Sequence, residues 1–268
     1  MISRRSRQRA FSLVEMAVVL AIVGLLLAMG MYTLSAQSEQ RAREDTQQRL
    51  EQAREALLGF AVANGRLPCP ASGSATGVEA DSPAGSGSCT NAYNGFLPAI
   101  TLGLQPVDGD GFALDAWNNR IRYAVAQNIS GCAGTSSTPH FTSKTNLKQN
   151  GMSCRPSDSD LLICKSAVAS PAPVAGSCQG GGTNSVTNLG TAVAVVFSVG
   201  KNYARSPSAA AALAAGHADE AANLDNNAVF ISHTPAPQEA TGGEYDDMMV
   251  WIPVGVLYGR LASAGVLP

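Results

Sequence analysis

From Phe11 to Tyr32 the chain is apolar at nearly every position, interrupted by Ser12, Glu15 and the glycines Gly24 and Gly30. Such a run is long enough to span a bilayer as a helix. Polar residues resume at Thr33 and continue without proline to Asn64. Within this stretch Leu50, Ala53, Leu57, Phe60 and Ala61 fall near helical spacing and predict one apolar stripe. Glu39 with Arg43 and Asp45 with Arg49 are i,i+4 pairs in the favourable order, and the segment before Leu50 reads as a solvated helix face. Asn64 and Gly65, just ahead of Leu67 and Pro68, predict the stop. At about 1.5 Å per residue, a helix from Phe11 to Asn64 would make a rod of roughly 80 Å.

Beyond Gly65 the predicted elements are short strands. Arg120 to Val125 alternates, and Ala192–Val199, Ala228–Ser232 and Met248–Pro253 are rich in Val and Ile. These four would form an antiparallel sheet, with one face on the helix stripe around Leu57 and the other toward solvent or neighbours. A short closing helix is expected near Leu257 and Leu261. The predicted fold class is α+β, with a long N-terminal helix and a β-rich head over residues 65–268.

The charge balance is uneven. The chain has 18 Lys and Arg against 20 Asp and Glu, but Arg4, Arg5, Arg7 and Arg9 all precede the apolar run, leaving 14 basic and 20 acidic residues from Phe11 onward. The positive-inside bias therefore keeps the N-terminus cytoplasmic and places the C-terminal part outside. No nucleic-acid partner is expected, since the acidic remainder gives no electrostatic footprint for phosphates. A secretory signal peptide fits poorly, because the run is longer than a usual signal core and no small-x-small cleavage site follows it.

The six cysteines, Cys69, Cys89, Cys132, Cys154, Cys164 and Cys178, all follow the apolar run and lack the close pairs of a metal site. Structural disulfides in an oxidising compartment are expected. Connectivity is open from sequence, and sequential pairing is the simplest because it closes short local loops. Residues 126–190, with four of these cysteines and a Gly180 to Gly182 loop, read as a disulfide-stapled insertion.

Glu15 gives the apolar run its chemistry. A carboxylate five residues into such a stretch costs about 2.5–3.5 kcal/mol to bury and calls for a partner. Arg9-Ala10-Phe11-Ser12-Leu13-Val14-Glu15 resembles the N-terminus of the type IV pilin and type II secretion pseudopilin superfamily, with Ala10 where glycine is usual. The resemblance implies a removed basic leader, residues 1–10, cut by a prepilin peptidase between Ala10 and Phe11 with methylation of the Phe11 amine. It also implies a transmembrane and filament-core helix at 11–32, an amphipathic continuation at 33–64 and a pilin head. Glu15 would pair with a neighbouring subunit's terminal ammonium, so that each charge compensates the other. The implied partners are other pilin subunits, the peptidase, an inner-membrane assembly platform and the membrane itself.

Two further stretches extend the resemblance. Asp115 to Tyr123 is similar to a turn common in pseudopilin heads, which makes Trp117 a packing anchor. Phe197 to Asn202, followed by Asp219, Glu220, Asn223 and Asp225, resembles a loop that precedes a calcium site in the major pseudopilin. Calcium favours clustered oxygen ligands, so these four are its candidates if the loop folds back, although a solvated acidic loop is the simpler reading and no cofactor is required. Glu244 to Ile252 likewise resembles the acidic-then-apolar final strand of related pilins. Asp108 and Asp110 lack the distal Glu of an EF-hand.

Enzyme chemistry finds no support. His140, His217 and His233 are scattered and read as surface residues, and no zinc, nucleophile-elbow or Walker pattern occurs. The sequence therefore reads as a minor pilin of a type IV pilus-like filament. Its head would lie in the periplasm before assembly into an extracellular pilus or periplasmic pseudopilus. The alternatives are a type II secretion pseudopilin and, from another class, a pilus-borne adhesin using the stapled insertion to bind a ligand.

Overall fold

A computed structural model describes residues 12–74, 76–132 and 138–267, with side chains at all of these except 26–36 and 181. The chain divides into two units between Glu44 and Asp45, and helix α1, Leu13–Asn64, contributes to both. Ser12 starts it: the hydroxyl oxygen accepts a 3.1 Å hydrogen bond from the Glu15 amide, satisfying a donor that the first turn leaves open. Gly65 ends it. Its φ of +71° suits glycine, its amide donates to the Ala61 carbonyl at 2.8 Å, and the Asn64 side chain donates back to Phe60.

In the first unit Leu13, Val14, Val18, Val19, Leu20 and Ile22 are all exposed. Among the described residues no helix is long and apolar enough to cross a membrane. Phe11 and the side chains of 26–32, which belong to the predicted 11–32 span, lie outside the described residues.

In the second unit Leu50, Ala53, Leu57 and Ala61 are buried as the stripe predicts, and fully burying a leucine side chain is worth about 1.5–3 kcal/mol. Leu58 joins them, whereas Phe60 stays half-buried beneath the Arg66 guanidinium, 5.4 Å from its ring centre. The turn before Leu50 departs from a purely solvated face. Thr46 is fully buried and its hydroxyl oxygen accepts from the Ala116 amide, while Arg49 donates to the Leu114 and Asp115 carbonyls at 2.9 Å each. Arg49 also keeps its predicted pair with Asp45, at 2.6 Å.

After α1 come β1 (Gly95–Phe96), α2 (Ala99–Leu102), β2 (Arg122–Val125), β3 (Ile129–Ser130), α3 (Lys144–Asn150), β4 (Arg155–Pro156) and β5 (Leu162–Cys164). Then follow β6 (Ala192–Ser198), α4 (Ala209–Ala214), α5 (Ala218–Leu224), β7 (Val229–Ile231), β8 (Met248–Pro253) and the closing helix α6 (Val254–Ser263). The main sheet is antiparallel with order β1-β2-β6-β8. Tyr123 stands opposite Val196, and Val196 opposite Val250.

One predicted strand sits elsewhere. β7 pairs in parallel with β5, Ile163 opposite Phe230, and the fourth strand of the main sheet is β1. The Phe230 ring meets Phe197 of β6 edge to face, with centroids 5.7 Å apart, so β7 packs against a sheet residue instead of extending the sheet edge. Every residue of β6 is buried, so the sheet is covered on both faces at this strand, while four residues of β8 stay part-exposed.

The insertion is stitched into the head. Besides the β5–β7 pairing, the buried Asp160 carboxylate accepts from the Gln127 and Asn128 amides at 2.9 and 2.7 Å. The disulfides join Cys69 to Cys89, Cys132 to Cys154 and Cys164 to Cys178, a sequential pattern that leaves no free cysteine. The turn at 115–119 is anchored by Asp115 instead of Trp117, which is only half-buried. Asp115 is fully buried and its Oδ1 accepts from the Trp117 and Asn119 amides.

Candidate functional site

Two places carry the candidate chemistry, one in each unit. In the first, the cleavage residues Ala10 and Phe11 lie outside the described residues. Glu15 is described, exposed in the first turn of α1, and no described side chain pairs with its carboxylate. Around it Leu13 is 87% and Val14 72% exposed. The arrangement is a lone carboxylate on an uncovered apolar helix, a surface that water solvates poorly and that a lipid or another apolar helix would cover.

In the second unit the four residues predicted as calcium ligands do not converge. Asp219 Oδ1 accepts from the Ser166 hydroxyl at 3.0 Å and the Ala167 amide at 2.5 Å. Glu220 accepts from the Asn202 side chain and the Asp246 amide. The Asn223 side chain donates to the Ile231 carbonyl and to Asp247, and Asp225 caps its own turn by accepting from Asn227. Helix α5 separates them: it buries Asp219, Glu220 and Asn223 and leaves Asp225 beyond its end.

The fold instead gathers Glu220, Asp246 and Asp247, whose carboxylate oxygens lie within 4.8 Å of one another. All three are buried. Burial, then the neighbouring Glu220 charge, pushes Asp246 up to about 6, and the same two causes hold Asp247 well above the usual carboxylate range. Glu220 is raised by burial against the bonds from Asn202, the Asp246 amide and His217. One Asp246 oxygen accepts from the Lys201 and Asn202 amides, whereas the other, Oδ1, is buried without a partner among the described residues. Gly200 admits this approach, since a Cβ there would collide with the Asp246 carboxylate.

His140 and His217 are buried, at 0% and 4% exposure, contrary to a surface reading. His140 sits against the Tyr258 hydroxyl at 3.2 Å and His217 against Glu220 at 3.3 Å. Sequence reasoning singled out Glu220 but missed Asp246 and Asp247 as its companions. Their signal was two adjacent acids immediately before an apolar strand.

The family whose model matches is the prokaryotic N-terminal methylation motif, over residues 5–31. The chain thus carries a prepilin-type motif of the type IV pilin and pseudopilin kind, found in structural subunits. No curated protein and no solved structure matches the chain.

Proposed function

We propose that this protein is a structural subunit of a type IV pilus-like filament, a minor pilin given its large stapled head. The observation that carries the reading is the methylation motif at residues 5–31, coinciding with an exposed Glu15 that has no side-chain partner among the described residues, on an exposed apolar helix. Peptidase cleavage before Phe11 releases an ammonium, and Glu15 of one subunit compensates the terminal ammonium of the next. Each charge is costly to desolvate alone, so polymerisation couples desolvation to correct pairing. The unassembled subunit sits in the inner membrane by its 11–32 segment with the head in the periplasm. A type II secretion pseudopilin would use the same residues. Glu15→Ala should block incorporation into filaments while the protein still accumulates in the membrane, and normal incorporation of this variant would refute the role.

Calcium would enter through Glu220, one of the four predicted residues, together with Asp246 and Asp247. The donor set is all oxygen, as calcium favours, and the partnerless Asp246 Oδ1 supplies a buried acceptor for a cation. Bound there, the ion would offset two of the three crowded carboxylate charges and fasten α5 to the start of β8. Titrating the chelated protein with calcium while following its unfolding midpoint tests this.

A further inference from the structure

A second polar cluster is centred on His233. Its Nδ1 is 2.6 Å from the Thr234 carbonyl oxygen and its Nε2 3.2 Å from Asp219 Oδ2. Both partners only accept, so the ring satisfies them only by carrying a proton on each nitrogen, as the imidazolium. The ring is stacked on Tyr245, centroids 3.9 Å apart and planes 26° from parallel, and an aromatic face favours a cation.

The other oxygen of Asp219 holds the loop closed by the Cys164–Cys178 disulfide, through the Ser166 hydroxyl and the Ala167 amide. The Asp219 amide donates to the Gly242 carbonyl at 3.3 Å, and Gly242 has no room for a side chain beside the carboxylate. Asp219 therefore joins three segments: the stapled loop, helix α5 and the turn before Tyr245. Tyr245 in turn donates to the Ile231 carbonyl at 2.7 Å.

We propose that His233 is a proton-operated latch, whose imidazolium completes the Asp219 junction and fastens the Cys164–Cys178 loop to the head, and whose deprotonation loosens that loop. The charged and titratable groups facing it are Asp219 and Glu220 from α5 and Tyr245 from the segment before β8, and the Asp247 charge acts in turn on Tyr245. The Asp219 hydrogen bond raises the His233 pKa above its ordinary value; burial opposes, and the Thr234 carbonyl and the Asp219 and Glu220 charges reinforce. A raised histidine pKa stabilises the folded form fully below the unfolded value, and that contribution is lost as pH rises through the folded value. The Asp219 carboxylate meets His233, the Ala167 amide and the Ser166 hydroxyl together, so the junction is complete only while the ring donates to it. The latch is thus shut in mildly acidic surroundings and loosens toward alkaline pH.

The test follows amide-exchange protection of residues 165–178 in the full chain in detergent, from pH 5.5 to 9, with imidazole NMR reporting His233 in the same samples. Protection relative to intrinsic exchange should fall as pH passes the His233 pKa, by up to about tenfold for each unit that this pKa lies above its ordinary value. His233→Gln should show lower protection that does not vary with pH, as should Asp219→Asn. The wild-type protein is a test in itself, should either variant misfold. Flat wild-type protection across the His233 titration, or a His233 pKa at or below its ordinary value, would overturn the proposal.

Discussion

Ser198, the last residue of β6, donates from its hydroxyl to Asp115 Oδ2 at 2.6 Å, tying the 115–119 turn to the centre of the sheet. The same carboxylate gathers the Trp117 and Asn119 amides on its other oxygen. Asp115→Ala would strand these donors, the Ser198 hydroxyl among them fully buried. Hydrogen bonds to charged groups contribute about 1.5–3 kcal/mol, so a loss of roughly that size is expected in chemical denaturation. Ser198→Ala should cost less, because it leaves the two amide bonds in place. Equal losses in the two variants would contradict the anchor role.

His140 should set an acid limit on the head. It is fully buried, and burial depresses its pKa to about 4. The unfolded chain then binds more protons than the folded one between about pH 6.5 and 4, so stability falls with pH across that window. At about 1.4 kcal/mol per unit, the full window is worth on the order of 3 kcal/mol. Asp246, raised to about 6, works in the opposite sense, because the folded form takes up its proton first. The informative quantity is therefore the difference between wild type and His140→Gln. That difference should change steadily in favour of the variant as pH falls through the window, and parallel curves would contradict it.

Cys69→Ser should lower head stability by about 2–5 kcal/mol. The bridge to Cys89 closes a loop spanning 20 residues, and Arg66 with Glu79, at 2.7 Å, is an ion pair that would still hold its base. An unfolding midpoint unchanged by the substitution would remove the staple from the account.

Calcium should raise the unfolding midpoint of the chelated protein, since a ligand that binds only the folded form stabilises it by mass action. Asp246→Asn should abolish that response. In calcium-free buffer at pH 7 the same variant should be at least as stable as wild type, because it removes one crowded charge. A calcium response that survives the substitution would move the ion elsewhere.

The helical part of the chain was legible because its signals are local. The alternation of Leu50, Ala53 and Leu57 fixes the buried stripe, and Gly65 fixes the stop. The sheet was legible only in part. Val229 to Ile231 has the composition of a core strand, but composition carries no partner, and its pairing with Leu162 to Cys164 depends on contacts some 67 residues away. Thr46 and Arg49 looked solvated because their partners are backbone groups of a distant turn, which no periodicity records. The acid cluster failed for the same reason: Glu220 and Asp246 are brought together by the folding of α5, so spacing alone directed attention to Asp219 and Asp225.

The central claim is that the chain is a processed filament subunit, and mass spectrometry of its N-terminal peptide tests it most directly. The peptide would be recovered from sheared surface filaments and, separately, from the inner-membrane fraction. The account predicts a peptide beginning at methylated Phe11 in the sheared material. Processed protein found only in the membrane would favour a pseudopilin, and an intact Met1 start in both fractions would contradict the prepilin reading.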